Sequence, residues 1–189
     1  MLSKYKVSIL TLHPQVIFRL LQVTQHMEIQ ERLMNGEIDL CISTLPIDQP
    51  GISCEPLINE EIFLALPPEH RFSNRKSIQH KEIANEPFIY QTTEYGLREV
   101  TDDFCRQSGF TPNISNIAIE STIPEVLCSL VKVGFGNAFV PAYWWDKMNT
   151  ESLVKLHIEN PICKRTIWLS RVNKHYLSVA ARDFSRFVI

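Results

Sequence analysis

Apolar and polar positions alternate along this chain in two periods, and the switches between them mark out its elements. The run Gln15 to Val23, Gln-Val-Ile-Phe-Arg-Leu-Leu-Gln-Val, is apolar and β-branched and follows His13-Pro14, which predicts a strand. Thr24 stands where a helix cap belongs. Ile29, Leu33 and Met34 then put apolar side chains on one side of a helix over about 25–35 that stops at Asn35-Gly36. From Glu37 to Ser43 the central apolar run predicts a strand covered on both faces, as parallel sheets require, so these elements make one βαβ unit.

Residues 45–56 hold Pro46, Pro50, Gly51 and Pro56 and read as a surface connection. A strand over about 57–66 ends at Pro67-Pro68, where a lobe boundary belongs. His70 to Lys81 carries Arg71, Arg75, Lys76 and Lys81 with no acid between them; this is a solvated basic loop or an anion or nucleic-acid contact. A short strand at Pro87–Tyr90 runs into Gln91-Thr92-Thr93. The helix after it, over about 97–108, places Leu97, Val100 and Phe104 on one face before Gly109. Asn116–Glu120 reads as a strand. Thr122-Ile-Pro-Glu125 has capping-box spacing and opens a helix with the stripe Val126, Leu127, Leu130 and Val131, closed by Gly134. Strands follow at 137–141, 153–157 and 165–170, and a last helix over about 178–188. Strands alternating with helices make the fold α/β.

Composition narrows the function classes. The 189 residues are 44% hydrophobic and 21% charged, an ordinary globular balance, and 19 basic against 21 acidic residues give a net charge of −2. No chain-wide polycation suits a phosphate backbone, so specific duplex binding by this chain alone is not expected. Five cysteines, odd in number and spread among apolar neighbours, read as cytosolic thiols, and no spacing suits a structural metal. Without an apolar leader or membrane-length run, the expected location is cytoplasmic.

Catalytic constellations are missing. Gly134-Phe-Gly136 follows a helix instead of opening one, and Phe139 stands where a dinucleotide fingerprint needs a small residue. There is no G-x-S-x-G, Walker A or H-E-x-x-H, and Asp102-Asp103 point about 100° apart on a helix. A hydroxyl or amide does recur where a strand ends: Ser43-Thr44, Gln91-Thr92-Thr93 and Ser121-Thr122. Open α/β sheets bind ligands beyond the carboxyl ends of their strands, where helix N-termini favour anions. Ser43, Thr44, Gln91, Thr92, Thr93 and Thr122 are therefore the candidate binding residues, with local helix capping as the alternative for each.

Gly36-Glu-Ile-Asp-Leu-Cys-Ile42, Pro67-Pro-Glu-His70, Glu86-Pro-Phe-Ile-Tyr90, Glu120-Ser-Thr122, Leu130–Gly136, Phe139-Val-Pro141 and Leu177–Ala181 with Phe184 resemble, in that order and over about 13–189, the effector-binding half of LysR-type transcriptional regulators. The resemblance implies two Rossmann-like lobes joined by crossover strands, as in type 2 periplasmic-binding proteins. Lobe I would comprise 1–65 plus 163–189 and lobe II 66–162. A small, anionic effector such as an organic acid would sit in the cleft, touched by Thr44 from one lobe and by Gln91, Thr92, Thr93 and Thr122 from the other. It further implies a homodimer or higher oligomer, no catalysis, no cofactor, no metal and no membrane. The family's winged helix-turn-helix has no match within this chain, and lobe I is expected to be truncated at its N-terminus; DNA would be reached only through a domain absent from this chain. A transporter's solute-binding protein shares the fold and is the alternative; an enzyme on the same fold would need a catalytic base in the cleft.

Overall fold

The computed structural model describes residues 11–23, 25–93, 95–119, 123–147, 150, 152–173 and 176–188. The chain divides into two compact units, Met1–Ile58 with Thr166–Ile189, and Asn59–Arg165, so the chain passes between them within its second and eighth strands.

In the first unit, helix α1 (His26–Met34) carries Glu28 and Arg32 four residues apart, paired at 2.8 Å, and Gly36 with φ 72 follows its end. Leu33 is fully buried with Cys41 and Ile47, and Ile29, Ile38 and Val172 pack around them. Strand β1 (Cys41–Ser43) lies antiparallel to β8 (Lys164–Val172), with Cys41 opposite Ser170 and Ser43 opposite Trp168. The parallel βαβ unit expected from sequence is thus corrected: β1 has three residues and an antiparallel neighbour from far along the chain.

The segment 15–23 is not a strand. Ile17, at 93%, Leu20 and Leu21 are exposed, and the chain is tied to a helix instead, His13 Nε2 lying 2.9 Å from Asp183 and half-buried Phe18 with its ring centroid 5.8 Å from that of Phe184. Strand propensity is realised only against a partner strand. That helix, α6 (Val179–Val188), opens on Ser178, whose hydroxyl accepts the Ala181 N–H at 3.1 Å.

The second unit is built on β2 (Ile52–Leu66), which begins five residues earlier than its sequence suggests, with Pro56 exposed inside it. Its apolar end, Ile62 to Leu66, is buried throughout because β6 (Ala138–Pro141) and β7 (Val154–Glu159) both pair with it antiparallel. Strand β3 (Ser77–Gln79) runs parallel to β7 and leads into the short helix α2 (His80–Ile83). Strand β4 (Pro87–Gln91) pairs parallel with β5 (Asn113–Ile119), with a bulge between Phe88 and Tyr90. Helices α3 (Gly96–Gln107) and α4 (Pro124–Lys132) flank β4 and bury Leu97, Phe104, Leu127 and Val131, and α5 (Ala142–Trp145) follows β6. Phe88 is fully buried and stacks on Phe139 with ring centroids 5.0 Å apart.

Helix α4 has Ile123 as its N-cap and Pro124 in the first position, so the capping box expected at Thr122 is not its start; Thr122 itself lies outside the described residues, as does Thr24. Within the basic stretch the two arginines find acids just beyond it. Arg71 bonds Glu86 and Arg75 bonds Glu82, and both guanidiniums lie over the Phe72 ring. Glu86 is buried, His70 Nε2 lies 3.0 Å from it and Asn137 Nδ2 donates to it at 3.5 Å. Burial works to raise its carboxyl, but hydrogen bonds from Arg71 and His70 outweigh that and hold it below the usual carboxylate range.

Candidate functional site

The described candidate residues fall at two strand ends, one in each unit, and Thr122 lies outside them. In the first unit Ser43 closes β1, and its hydroxyl donates to the Leu45 carbonyl at 2.7 Å, a local turn bond that leaves its oxygen as an acceptor. Thr44 follows, half-buried.

In the second unit Gln91 closes β4 opposite Ile119. The Thr92 carbonyl accepts the Tyr95 N–H at 3.2 Å, turning the chain into α3; Thr92 is half-buried and Thr93 exposed. The N-cap of α3 is Tyr95, which makes no side-chain capping bond, so neither threonine occupies the cap position. The structure therefore brings Gln91, Thr92 and Thr93 to one strand end and Ser43 with Thr44 to another.

Gln91 is only 6% exposed, and its Nε2 is buried with no hydrogen-bond partner among the described residues. An unmade buried N–H of this kind costs about 1–3 kcal/mol. It lines a small pocket between the end of β4, the first turn of α3, α4 and β6, whose apolar walls are Ile89, Leu97, Leu127 and Phe139. The space has room for about one water.

Arg98, on the same wall, was not singled out by sequence reasoning. Its Nε donates to Asp102 at 2.6 Å, its Nη1 donates to the Gln91 carbonyl at 3.2 Å, and its guanidinium lies 4.0 Å from the Tyr90 ring centre. Three contacts fix the guanidinium and, through it, the end of β4. The i,i+4 spacing of Arg98 and Asp102 just after a strand end was the available signal. Burial pushes the Tyr90 phenol above its ordinary range and the Cys105 thiol up to about 12, so these side chains stay neutral near pH 7. Among the described residues no cluster of His, Cys, Asp and Glu could hold a metal, and no helix is long and apolar enough to cross a membrane.

Comparison with known proteins extends this picture. The family model described as the LysR substrate binding domain matches residues 8–189. The HTH-type transcriptional regulator YybE of Bacillus subtilis (strain 168) is 29% identical over 177 residues, 94% of this chain and 59% of YybE. The transcriptional dual regulator GltC of the same organism is 29% identical over 178 residues, 94% of this chain and 58% of GltC. The chain thus spans rather more than half the length of these regulators. Among solved structures, the effector binding domain of QuiR in complex with shikimate has a TM-score of 0.84 at 23% identity, covering 100% of this chain and 88% of that one. The Synechocystis CcmR regulatory domain in complex with 2-PG has a TM-score of 0.83 at 19% identity, covering 98% and 88%. At such identities these two establish the fold alone.

Proposed function

This chain belongs to the LysR substrate binding domain family, and from that premise we propose that it is the inducer-sensing regulatory domain of a LysR-type transcriptional regulator. The observation that carries the reading is the family match across residues 8–189, which includes both strand ends bearing the candidate residues. We take the unit of Met1–Ile58 and Thr166–Ile189 as lobe I and that of Asn59–Arg165 as lobe II. The effector is a small organic acid or similar anion, held by Thr44 from lobe I and by Gln91, Thr92 and Thr93 from lobe II; Ser43, whose hydroxyl hydrogen goes to the Leu45 carbonyl, and Thr122, outside the described residues, are the remaining candidates. Neutral hydrogen-bond donors at strand ends suit an oxyanion.

The domain does no catalysis in this reading. Effector binding would shift the population of lobe arrangements, and the changed geometry between subunits of an oligomer would reposition DNA-binding domains supplied by another part of the regulator. Shikimate with QuiR and 2-PG with CcmR are anionic precedents for the effector class. The transporter solute-binding alternative shares the fold, but the curated relatives are transcriptional regulators.

The test is a thermal-shift screen of small organic acids, followed by affinity and melting measurements on Thr44→Val and Thr92→Ala. A charged hydrogen bond contributes about 1.5–3 kcal/mol, so each variant should bind about 10- to 150-fold more weakly. If both bind a ligand found in the screen as tightly as wild type, the assigned residues are wrong.

A further inference from the structure

We propose that Glu60, Arg165 and Trp144 are positioning residues that couple the turn after β4 to the two strands by which the chain enters and leaves the second unit. The proposal rests on the effector-binding reading and adds the route by which occupancy at that turn is felt where the chain crosses. Glu60 and Arg165 are the second and the last residue of the unit, on β2 and β8. Their side chains are 9% and 8% exposed, and two guanidinium nitrogens, Nε at 2.6 Å among them, grip the single carboxylate oxygen Oε1. The other oxygen, Oε2, accepts the Tyr143 N–H at 3.0 Å from α5. The two strands are also joined directly, Ile62 N–H donating to the Cys163 carbonyl at 2.9 Å.

Helix α5 carries the link onward. Trp144, next to Tyr143, is half-buried and packs into the cores beneath both α3 and α4, and its ring centroid lies 6.4 Å from that of Tyr95. Tyr95 is the N-cap of α3, and its N–H closes the turn onto the Thr92 carbonyl. Burial raises the Tyr95 phenol above its ordinary range and the Arg165 charge works against that rise, so the guanidinium's field reaches the same ring. A buried ion pair stabilises poorly, because desolvation offsets most of the attraction. What it does supply is spacing: each carboxylate oxygen has its own partner, which fixes β2, β8 and α5 relative to one another. Loosening that grip frees α5, withdraws Trp144 from behind Tyr95, and lets the Thr92–Tyr95 turn open more often.

The experiment uses the whole chain, labelled with nitrogen-15 and without added ligand, and reads native-state hydrogen exchange at the Tyr95 amide. Glu60→Gln, Trp144→Leu and the double variant are compared with wild type. A glutamine offers one oxygen and one NH2 group, so it can accept from Arg165 or from Tyr143 in the native arrangement but not from both. Each single variant should lower Tyr95 protection about 5- to 150-fold. The double variant should lose little more than the worse single one, because the second cut falls on a link already broken. Arg165→Lys keeps the charge and gives up the second nitrogen, so it should lower Tyr95 protection as well, and it replaces Glu60→Gln in the same cycle if that variant does not fold.

Unchanged Tyr95 protection in Glu60→Gln, or in Arg165→Lys where that variant stands in, would overturn the proposal. So would a double variant whose loss equals the product of the two single losses, since independent destabilisation multiplies in that way however large each effect is. Either result leaves the effector reading standing, because that reading answers to the acid screen and the threonine variants. Failure of the acid screen with the coupling intact would overturn the effector reading alone.

Discussion

Gly136→Ala should destabilise the second unit far more than Gly134→Ala, although the two glycines stand two residues apart. Both have positive φ, +84 at Gly134 and +156 at Gly136. A Cβ on Gly134 would meet nothing within 4 Å, so its cost is backbone strain alone, about 1–2 kcal/mol. A Cβ on Gly136 would lie 3.0 Å from Ile89 Cγ1 and 3.1 Å from the Pro87 carbonyl oxygen. The backbone there cannot retreat, because Asn137 N–H donates to Pro87 O and Ile89 N–H donates to Asn137 O, each at 2.8 Å. Strain of about 1–3 kcal/mol and overpacking of about 1–3 kcal/mol sum to about 2–6 kcal/mol. With a urea slope of about 2 kcal/mol/M, the midpoint should fall by about 1–3 M for Gly136→Ala and by about 0.5–1 M for Gly134→Ala. Tryptophan fluorescence reports the transition, since Trp144 and Trp145 lie in this unit. Equal midpoints for the two variants would refute the close approach of residue 136 to β4.

Glu86→Gln should cost about 1–3 kcal/mol by weakening the bonds that His70, Arg71 and Asn137 make to a buried carboxylate. Because its folded pKa is depressed, Glu86 supplies its stability above the unfolded carboxyl's pKa of about 4.3 and loses it as pH falls through the lower folded value. Wild type should therefore lose more stability than Glu86→Gln on acidification below about pH 4; parallel acid titrations of the melting temperature would contradict this. Phe88→Ala removes a fully buried ring stacked on Phe139 and should cost about 3–5 kcal/mol by chemical denaturation, and a loss under 1 kcal/mol would refute the packing. Burial pushes the Cys105 thiol up to about 12 and the Cys128 thiol up to about 11, so neither supplies much thiolate at pH 8. Alkylation of the native chain followed by peptide mapping should label half-buried Cys54 first and Cys105 only on unfolding, and early labelling of Cys105 would overturn that order.

Local pattern alone determined most of the helices. Leu97, Val100 and Phe104 marked the inner face of α3, Asn35-Gly36 marked the end of α1, and Gly134 marked the end of α4, because periodicity and terminators act within a turn or two. The ordered motifs from Gly36 to Phe184 identified the family, since spacing carries the fold even where each motif is common. Candidate positions at strand ends were also legible, because a hydroxyl or amide after an apolar run is a local feature. Tertiary structure decided the rest. Cys41–Ser43 pairs with Trp168–Ser170 across more than a hundred residues, and no local signal states a partner or its direction. Gln15–Val23 has strand composition but is held beside α6 through His13 and Phe18. The same holds at the site. Composition names Gln91 as polar; only the packing of Ile89, Leu97, Leu127 and Phe139 around it makes its N–H a buried donor with no partner among the described residues.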